Sequence, residues 1–379
     1  MSKLFKILQI GMTKNIGGIE TYLIEQYRHL DKRRIDYDFI NMIGENNIAF
    51  EDEIKSNGNE IYNIVSRGKN PLKHYWQWIM FFYKNAKFYD AIVFNTCDLY
   101  HMCPLFLAKI FNIRIRIIHS HNNGNEKKEK FFRKILIKVN KFLMDISVTN
   151  YWACSTEAGL WMFGKNKNFK IIHNLIDSRK YIYNIDVRRK IRKSLNIEDK
   201  FVIGHIGRFS YQKNHVFLIK VFNEIYKKDK NSVLLLIGGK TGNQSYYQES
   251  VNLVNKMGLD DNVYFLGMQK NVADYYQAMD CFLLPSRFEG LGIVGIEAQA
   301  SSLCCIVSTN VSRELQITEL VKYISLNENI DIWVKEILKS KLNKRINRYK
   351  EIVNKGYDIE EGNKIFQEYF ISLLNKKEG

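Results

Sequence analysis

The chain has 379 residues, of which 46% are hydrophobic and 26% are charged, and it carries a net charge of +17. This is the composition of a globular protein and excludes a disordered or collagen-like chain. Its apolar runs are far shorter than the roughly 20 residues that a membrane span needs, and its start lacks a signal-peptide pattern, so we expect a cytoplasmic protein. The six cysteines form no C-x-x-C pair, and we expect buried, reduced thiols.

Short apolar runs alternate with amphipathic stretches along the chain, which is typical of parallel α/β domains. A helix is predicted over residues 19–30, after the first strand. The strands predicted in the first half cover residues 5–10, 37–42, 91–95, 115–119 and 171–176.

A charged stretch over residues 177–200 precedes a second strand and glycine turn at residues 201–207. Later strands are predicted over residues 233–237, 263–266, 281–284 and 304–307, and helices over residues 215–227 and 292–300. The pattern predicts two doubly wound domains, with ligands bound at the carboxyl ends of their strands and in the cleft between them. The predicted division of the chain is 1–176, 177–358 and a C-terminal helical segment at 359–379.

Two basic residues follow the strand that opens the second half. Arg208 and Lys213 stand five residues apart in one predicted loop, directly after Gly207. Arg can hold a diphosphate as a fork and Lys as a point charge. Such a pair can stabilise a departing nucleoside diphosphate without a metal ion, although two solvated surface cations would give the same pattern.

Two glutamates bracket a glycine-rich segment after the predicted strand at residues 281–284. Glu289 and Glu297 are separated by seven residues, in the sequence EGLGIVGIE. We expect Glu289 in the loop after the strand and Glu297 on the helix that follows. The loop would present backbone N–H groups to an anion at a helix N-terminus, and the carboxylates would accept hydrogen bonds from ribose and sugar hydroxyl groups.

The first half offers two further candidate positions. Gly17 and Gly18 follow the first strand, where a tight turn and a close approach of the backbone to a ligand are both open readings. His119, His121 and Asn122 stand at the end of another predicted strand. Two histidines at one strand end favour a functional role, and no third metal ligand stands near them in sequence.

A dinucleotide-binding pattern overlaps the glutamate pair. Residues 290–295 read GLGIVG, and Glu314 lies about 20 residues further on, where such a site needs an acid. The pattern stands late in the chain and is separated from its strand by residues 286–289. This position disfavours a dinucleotide site, and a dinucleotide-dependent enzyme is kept as an alternative.

Taken in chain order, these motifs resemble a known family. They are the segments Gly17-Gly18-Ile19-Glu20, His119, Gly207-Arg208 with Lys213, Phe265-Leu266-Gly267 and the Glu289/Glu297 pair. They resemble a retaining glycosyltransferase of family 4, and the histidine-rich strand end is similar to that of bacterial capsule and exopolysaccharide transferases. The resemblance implies the α/β GT-B fold: two Rossmann-like, doubly wound parallel-sheet domains, with the C-terminal helix crossing back onto the first.

The resemblance also implies a reaction. The first domain would bind the acceptor, and the second would bind a nucleotide-sugar, expected to be a UDP-sugar. The transfer would be of the hexosyltransferase type, retain the anomeric configuration, and need neither a metal nor a cofactor. Relatives often have Pro-Phe-Gly after the first glutamate, where this chain has Gly-Leu-Gly, so the donor sugar is left open.

Roles for individual residues follow from the same resemblance. Arg208 and Lys213 would hold the diphosphate and Glu297 the ribose, and Glu289 would be a catalytic residue that holds the donor sugar near its reacting centre. His119 would be the catalytic histidine near the reacting carbon. The remaining expected donor contacts are Gly17, Gly18, Gly267, Gly290, Leu291, Gly292 and Ile293, with His121 and Asn122 as further candidates.

The basic charge bears on the partners. Residues 1–175 carry ten more basic than acidic residues, which suits a polyprenyl-diphosphate-linked acceptor and an anionic membrane surface. Residues 127–141 read KKEKFFRKILIKVNK, which indicates a basic amphipathic helix that either binds a membrane surface or a partner, or packs its apolar face into the core. Nucleic-acid binding also suits a basic chain, but no RNP-like or helix-turn-helix pattern is present. A nucleotide-sugar epimerase is a further alternative, which the Glu289/Glu297 pair with Arg208 disfavours.

Overall fold

The computed structural model describes residues 3–42, 44, 47–124, 131–240 and 244–376. The chain divides into two compact units. Unit 1 consists of Met1–Leu175 and Ile359–Gly379, and unit 2 of Ile176–Asp358. Each is an α/β unit built on its own parallel sheet.

The described part of unit 1 forms a seven-stranded parallel sheet with the strand order β3-β2-β1-β4-β5-β6-β7. Apolar runs explain these strands, because a parallel sheet is buried on both faces; β4, for example, is buried throughout. The strands are β1 (Phe5–Ile10), β2 (Ile35–Asn41), β3 (Ile61–Asn63), β4 (Ala91–Thr96), β5 (Ile115–Ser120), β6 (Asn150–Ala153) and β7 (Lys170–Ile171).

Helices connect these strands and lie on both faces of the sheet. The side chains of α1, α2 and α14 join one core cluster on one face, which includes Tyr27, Ile54 and Phe370. The helices of unit 1 are α1 (Gly18–Arg28), α2 (Glu51–Ser56), α3 (Pro71–Asn85), α4 (Cys103–Ile110), α5 (Phe131–Ser147), α6 (Thr156–Phe163) and α14 (Ile359–Asn375). The C-terminal helix thus packs within unit 1, where Phe370 meets Trp152 of β6 at a ring-centroid distance of 5.2 Å.

Unit 2 repeats the architecture in its described residues, with a six-stranded parallel sheet in the order β10-β9-β8-β11-β12-β13. Strand order reverses at β8, since β9 lies on one side of it and β11 on the other. This is the point where ligands bind in doubly wound sheets. The strands are β8 (Phe201–Ile206), β9 (Ser232–Ile237), β10 (Val263–Gly267), β11 (Cys281–Leu284), β12 (Cys304–Ser308) and β13 (Val321–Ile324).

The helices of unit 2 cover both faces of its sheet. Trp333 of α12 is buried in a core cluster that also holds Phe222 of α8 and Val254 of α9. These helices are α7 (Ile185–Leu195), α8 (His215–Lys228), α9 (Ser245–Lys256), α10 (Val272–Ala278), α11 (Ile293–Ala300), α12 (Ile330–Lys339) and α13 (Tyr349–Asn354).

The two-domain α/β fold predicted from the sequence is confirmed, and most strand positions with it. One strand prediction is wrong: β7 ends at Ile171, and the expected strand over residues 171–176 is otherwise absent from the described chain. Ile176 instead makes an isolated bridge to Asp358 within unit 2. An apolar run alone does not distinguish a strand from a buried connection between units.

Candidate functional site

Two loops meet at the carboxyl ends of the neighbouring strands β8 and β11. Gln212, in the loop after β8, ties them together. Its carbonyl oxygen accepts a hydrogen bond from the backbone N–H of Arg287 (2.8 Å), and its side-chain amide donates to the carbonyl oxygen of Phe288 (3.0 Å). Residues from both loops therefore share one site.

Glu289 lies at the centre of this site with its side chain almost fully buried. Its Oε1 atom lies 2.5 Å from Nζ of Lys213 and accepts a hydrogen bond from the Ser286 hydroxyl at 2.8 Å. The amide of Gln212 donates to Oε2 at 3.2 Å. Both carboxylate oxygens are thus held in place, as a burial of this kind requires.

The glycine-rich segment after Glu289 turns the chain into α11. Gly292 is the residue before the helix and has φ +82°, a conformation that residues with a side chain rarely adopt. A β-carbon there would also lie 3.3 Å from Leu284. Ile293 begins the helix, and the N–H of Gly295 already donates to the carbonyl oxygen of Gly292 at 2.8 Å. The backbone N–H groups of Ile293 and Val294 are therefore the ones in the first turn that are suited to an anion.

Glu297 lies one turn into α11 and is also buried. Its Oε2 atom accepts a hydrogen bond from the hydroxyl of Tyr276, at 2.8 Å. Burial, with the neighbouring Glu297 carboxylate, raises the pKa of Tyr276 well above its ordinary value. The tyrosine therefore stays a hydrogen-bond donor at any physiological pH.

Glycines allow close contact between the ends of β8 and β9. A β-carbon on Gly238 would lie 2.1 Å from the carbonyl oxygen of Gly207. Gly238 also donates its N–H to the carbonyl oxygen of Gly267, at the end of β10. Arg208 follows Gly207 and is exposed, so the structure brings Arg208, Lys213 and Gly267 to one edge of the sheet.

Unit 1 contains the remaining candidates. Gly17 precedes α1 in extended backbone, and Gly18 begins the helix. Glu20 in the first turn accepts hydrogen bonds from the backbone N–H (3.0 Å) and hydroxyl (2.6 Å) of Thr13. This closes the loop between β1 and α1 and fixes the position of the two glycines.

The two histidines lie side by side at the end of β5, with ring centroids 4.0 Å apart. His119 is fully buried, and neither of its ring nitrogens has a partner among the described residues. Nε2 of His121 lies 3.1 Å from Oδ1 of Asn95, whose amide nitrogen donates to Gln9, so His121 donates from Nε2. Burial lowers the pKa of His121 to about 3, and burial with the neighbouring His121 lowers that of His119 well below its ordinary value. Both rings are neutral at pH 7.

Asn122 turns the chain after these histidines. Its side-chain amide donates to the carbonyl oxygen of Gly124 (3.1 Å) and its Oδ1 accepts from the backbone N–H of Asn123 (3.1 Å). The basic segment predicted over 127–141 lies partly outside the described residues, because the description resumes at Phe131.

The described residues bear on the expectations for membrane spans, metal sites and cysteine burial. No helix in it is long and apolar enough to cross a membrane. Within the same residues, no group of three or more His, Cys, Asp or Glu is placed to hold a metal ion. Cys154, Cys281 and Cys305 are buried, but Cys97 is exposed, which corrects the expectation that the thiols are all buried; Cys97 lies beyond the end of β4, outside the sheet.

Sequence reasoning missed three residues that support the site. Ser286 and Gln212 bind Glu289, and Tyr276 binds Glu297. Gln212 stands between Arg208 and Lys213, and Ser286 directly follows Pro285, so their neighbourhood carries a signal. Tyr276 lies 21 residues from Glu297 on another helix, and no local pattern indicates that contact.

Sequence comparison finds similarity to glycosyltransferases. Residues 187–358 match the family model described as "Glycosyl transferases group 1". The putative glycosyltransferase EpsF of Bacillus subtilis is 27% identical over 342 residues, covering 88% of this chain and 87% of that protein. The capsular polysaccharide biosynthesis glycosyltransferase CapH of Staphylococcus aureus is 25% identical over 358 residues, covering 92% and 93%.

Solved structures agree in fold. HepE from Anabaena, in complex with UDP and glucose, is 20% identical with a TM-score of 0.79, covering 97% of this chain and 100% of that one. Sucrose-phosphate synthase from Thermosynechococcus elongatus is 17% identical with a TM-score of 0.78, covering 97% and 99%. The fold is that of the GT-B glycosyltransferases.

Proposed function

We propose that this chain, a glycosyltransferase with the GT-B fold, is a retaining, metal-independent member of family 4. The donor is a nucleotide-sugar, with UDP as its nucleotide, and a hexosyl group is transferred. The acceptor is a saccharide or a polyprenyl-diphosphate-linked saccharide at the cytoplasmic face of the membrane. The product enters a capsule or exopolysaccharide, as the name of CapH suggests for that relative.

The observation that carries the proposal is the fixed carboxylate of Glu289 beside Lys213. The pair lies between the loops after β8 and β11, with Arg208 at the same sheet edge. We assign the diphosphate to Arg208, Lys213 and the first turn of α11, because these supply positive charge and backbone donors. The complexes of HepE with UDP and with UDP-glucose support a donor of this kind.

The two glutamates then divide the rest of the donor. Glu297, fixed by Tyr276, accepts hydrogen bonds from the ribose hydroxyl groups, and Glu289 accepts them from the sugar. A carboxylate can accept several hydrogen bonds, and one already fixed in place loses little entropy on binding. The backbone of Gly290, Leu291, Gly292 and Ile293 borders the phosphates, and Gly267 borders the base.

In the proposed reaction the acceptor hydroxyl attacks the anomeric carbon from the same face from which the leaving group departs. The bond between the anomeric carbon and the phosphate oxygen breaks, and the acceptor hydroxyl oxygen forms the new bond. Its proton passes to the leaving phosphate oxygen, so no separate protein base is needed. The cations Arg208 and Lys213 stabilise the departing diphosphate electrostatically. Gly17, Gly18 and a neutral His119, or His121 in its place, contact the donor from unit 1.

A direct experiment combines binding and turnover. Thermal shift is measured with UDP, GDP, ADP, NAD and a set of UDP-sugars, with and without EDTA, on the wild type, Arg208→Ala and Glu297→Ala. We expect stabilisation by UDP that EDTA leaves unchanged and that both variants lose. Lys256→Ala, at an exposed position at the end of α9, is the matched control and should behave like the wild type.

The stereochemistry is read by NMR of the product made from the donor that stabilises the protein, with a saccharide acceptor. The same anomeric configuration in donor and product is expected. Inversion, or a requirement for a divalent metal, would contradict the proposed mechanism. Conversion of the donor sugar without any acceptor would favour an epimerase, and stabilisation by NAD alone would favour a dinucleotide enzyme.

A further inference from the structure

The helices of unit 1 divide into two layers with different surfaces. Connections between parallel strands are right-handed, and α3, α4, α5 and α6 each lead in the same direction along the sheet, from β3 to β4, β5, β6 and β7 in turn. They therefore lie on one face. The connections through α1 and α2 lead in the opposite direction, and these helices share their core with α14 on the other face.

Two helices of the first layer present apolar stripes to solvent. On α3, Trp76 is 60% and Tyr83 is 73% exposed; on α5, Phe132 is 82% and Phe142 is 64% exposed. The exposed apolar residues recur at helical spacing, about half a turn away from the buried side of each helix. We call them the α3/α5 surface: Leu72, Trp76, Ile79 and Tyr83 with Phe131, Phe132, Ile135, Val139, Phe142 and Ile146.

The exposure of α5 decides whether the apolar face predicted for residues 127–141 is buried in the core. Helix α5, which contains the described part of that segment and continues to Ser147, buries only Asn140, Met144 and Ser147 among its residues. Its apolar stripe faces solvent, and the exposed side chains of Lys134, Lys138 and other basic residues lie beside it. Packing of the apolar stripe into the core of this unit is therefore wrong for the described residues.

The two layers also differ in charge. Helices α3 to α6 carry seven basic and two acidic residues, whereas α1, α2 and α14 carry three basic and eight acidic ones. One of the two acids in the first layer, Asp145, is paired with Lys167 at 2.8 Å. The helices of the first layer thus carry a net charge of +5 and those of the second a net charge of −5, so the positive helix layer of unit 1 is the one that also exposes aromatic rings.

We infer that the α3/α5 surface docks onto an anionic membrane, with its aromatic rings in the headgroup region and its lysines against lipid phosphates. Trp, Tyr and Phe beside Lys are the residues that bind the membrane interface. Lysine is depleted in protein–protein interfaces, so a protein partner fits the composition less well. The acidic layer of α1, α2 and α14 would be repelled by the same lipids, so unit 1 would bind with the layer of α3 to α6 towards the membrane.

This inference does not depend on the transfer reaction, since lipid binding is measured without donor or acceptor. The full chain is sedimented with vesicles of phosphatidylcholine alone, and with vesicles of phosphatidylcholine and phosphatidylglycerol in equal parts. We expect binding to the anionic vesicles that weakens with salt, as pairing with lipid phosphates requires. Absence of binding by the wild type would overturn the inference.

Variants separate charge from insertion. Lys134→Glu/Lys138→Glu is expected to weaken binding by about tenfold or more, and Phe132→Ser/Phe142→Ser by a similar factor. The matched controls are Lys256→Glu/Lys335→Glu, with the same change in charge on unit 2, and Ile365→Ser, an exposed apolar position on α14. Equal losses in the controls and the test variants would contradict a specific surface. Circular dichroism confirms that each variant is folded.

Insertion is tested at a single residue. Lipids brominated in the acyl chain quench tryptophan fluorescence only at close contact, and Trp76 is the expected contact. Quenching should fall in Trp76→Phe and persist in Trp161→Phe, on α6. If instead the wild type forms a dimer in solution that Phe142→Ser abolishes, while vesicles do not bind, the surface is an interface between two copies of the chain and the membrane inference is wrong.

Discussion

Nζ of Lys213 lies 2.5 Å from Oε1 of Glu289, and the two side chains are 14% and 8% exposed. The residues are 76 positions apart, so the pair joins the loops that follow two neighbouring strands, β8 and β11. A buried charge that loses its partner is strongly destabilising, whereas loss of both charges can be nearly neutral. The pair therefore allows a structural contribution to be separated from a role in donor binding.

Single and double substitutions of this pair should differ in stability but not in activity. Lys213→Met is expected to lower the free energy of unfolding by about 3 kcal/mol, because Glu289 stays buried without its cation. Lys213→Met/Glu289→Gln should recover most of that loss. Transferase activity should be absent from both variants. Each lacks the lysine proposed to bind the diphosphate, and the double variant also lacks the carboxylate proposed to bind the sugar.

Urea denaturation and initial rates measure these quantities. A double variant as unstable as Lys213→Met would show that the lysine contributes through packing rather than through the ion pair. A double variant with substantial activity would contradict the proposed roles of both side chains.

Tyr276 is a positioning residue for Glu297 and can be tested against its neighbour. Tyr276→Phe removes the hydroxyl that lies 2.8 Å from Glu297 Oε2 and keeps the ring. We expect the KM for the donor to rise several-fold with little change in kcat, because Glu297 is proposed to bind the ribose, away from the reacting carbon. Tyr275→Phe is the matched control, since its hydroxyl donates to Gln269 at 2.9 Å. Equal effects of the two substitutions would contradict this role.

Local pattern explains what could be predicted from the sequence. Buried parallel strands are continuous apolar runs, which is why the run at residues 281–284 coincides with β11. The segment EGLGIVGIE could be placed between loop and helix because its glycines mark the turn. The contact between Tyr276 and Glu297 joins two helices, and the exposure of the α5 stripe depends on what packs against it. Neither property can be inferred from the spacing of residues along the sequence.

Gly292 should be intolerant of substitution for a reason that can be separated from stability. Alanine at φ +82° costs about 1–2 kcal/mol in backbone strain, and a β-carbon would contact Leu284. Relief of that strain would move the first turn of α11, so we expect Gly292→Ala to lose donor binding as well as stability. Gly258→Ala is the control, because Gly258 has φ +63° and no atom of the described residues would lie within 4 Å of a β-carbon there.

The two glycine variants are compared by thermal denaturation and by UDP titration. Gly258→Ala should lose a similar free energy of unfolding and keep its affinity for UDP. Unchanged UDP binding in Gly292→Ala would show that the start of α11 does not contact the diphosphate.

Two buried histidines beneath the site should make unit 2 sensitive to acid. His205 is fully buried, with Nδ1 donating to the carbonyl oxygen of Leu283 at 2.8 Å, and its ring centroid lies 4.8 Å from that of His215. Burial lowers the pKa of His205 to about 3 and that of His215 well below its ordinary value. In the unfolded chain both histidines become protonated below about pH 6.5, whereas in the folded chain burial keeps them neutral. The free energy of unfolding therefore keeps its full value above that pH and decreases as the pH falls below it.

Each histidine contributes at most about 1.4 kcal/mol per pH unit to this loss. Urea denaturation at several pH values between neutrality and about pH 5 measures the slope. His215→Gln removes one of the two groups, so its slope should be smaller than that of the wild type, by up to about 1.4 kcal/mol per pH unit near pH 5. A slope identical to that of the wild type would show that His215 takes up a proton in the folded state, in which case the buried pair would not be the cause of acid sensitivity.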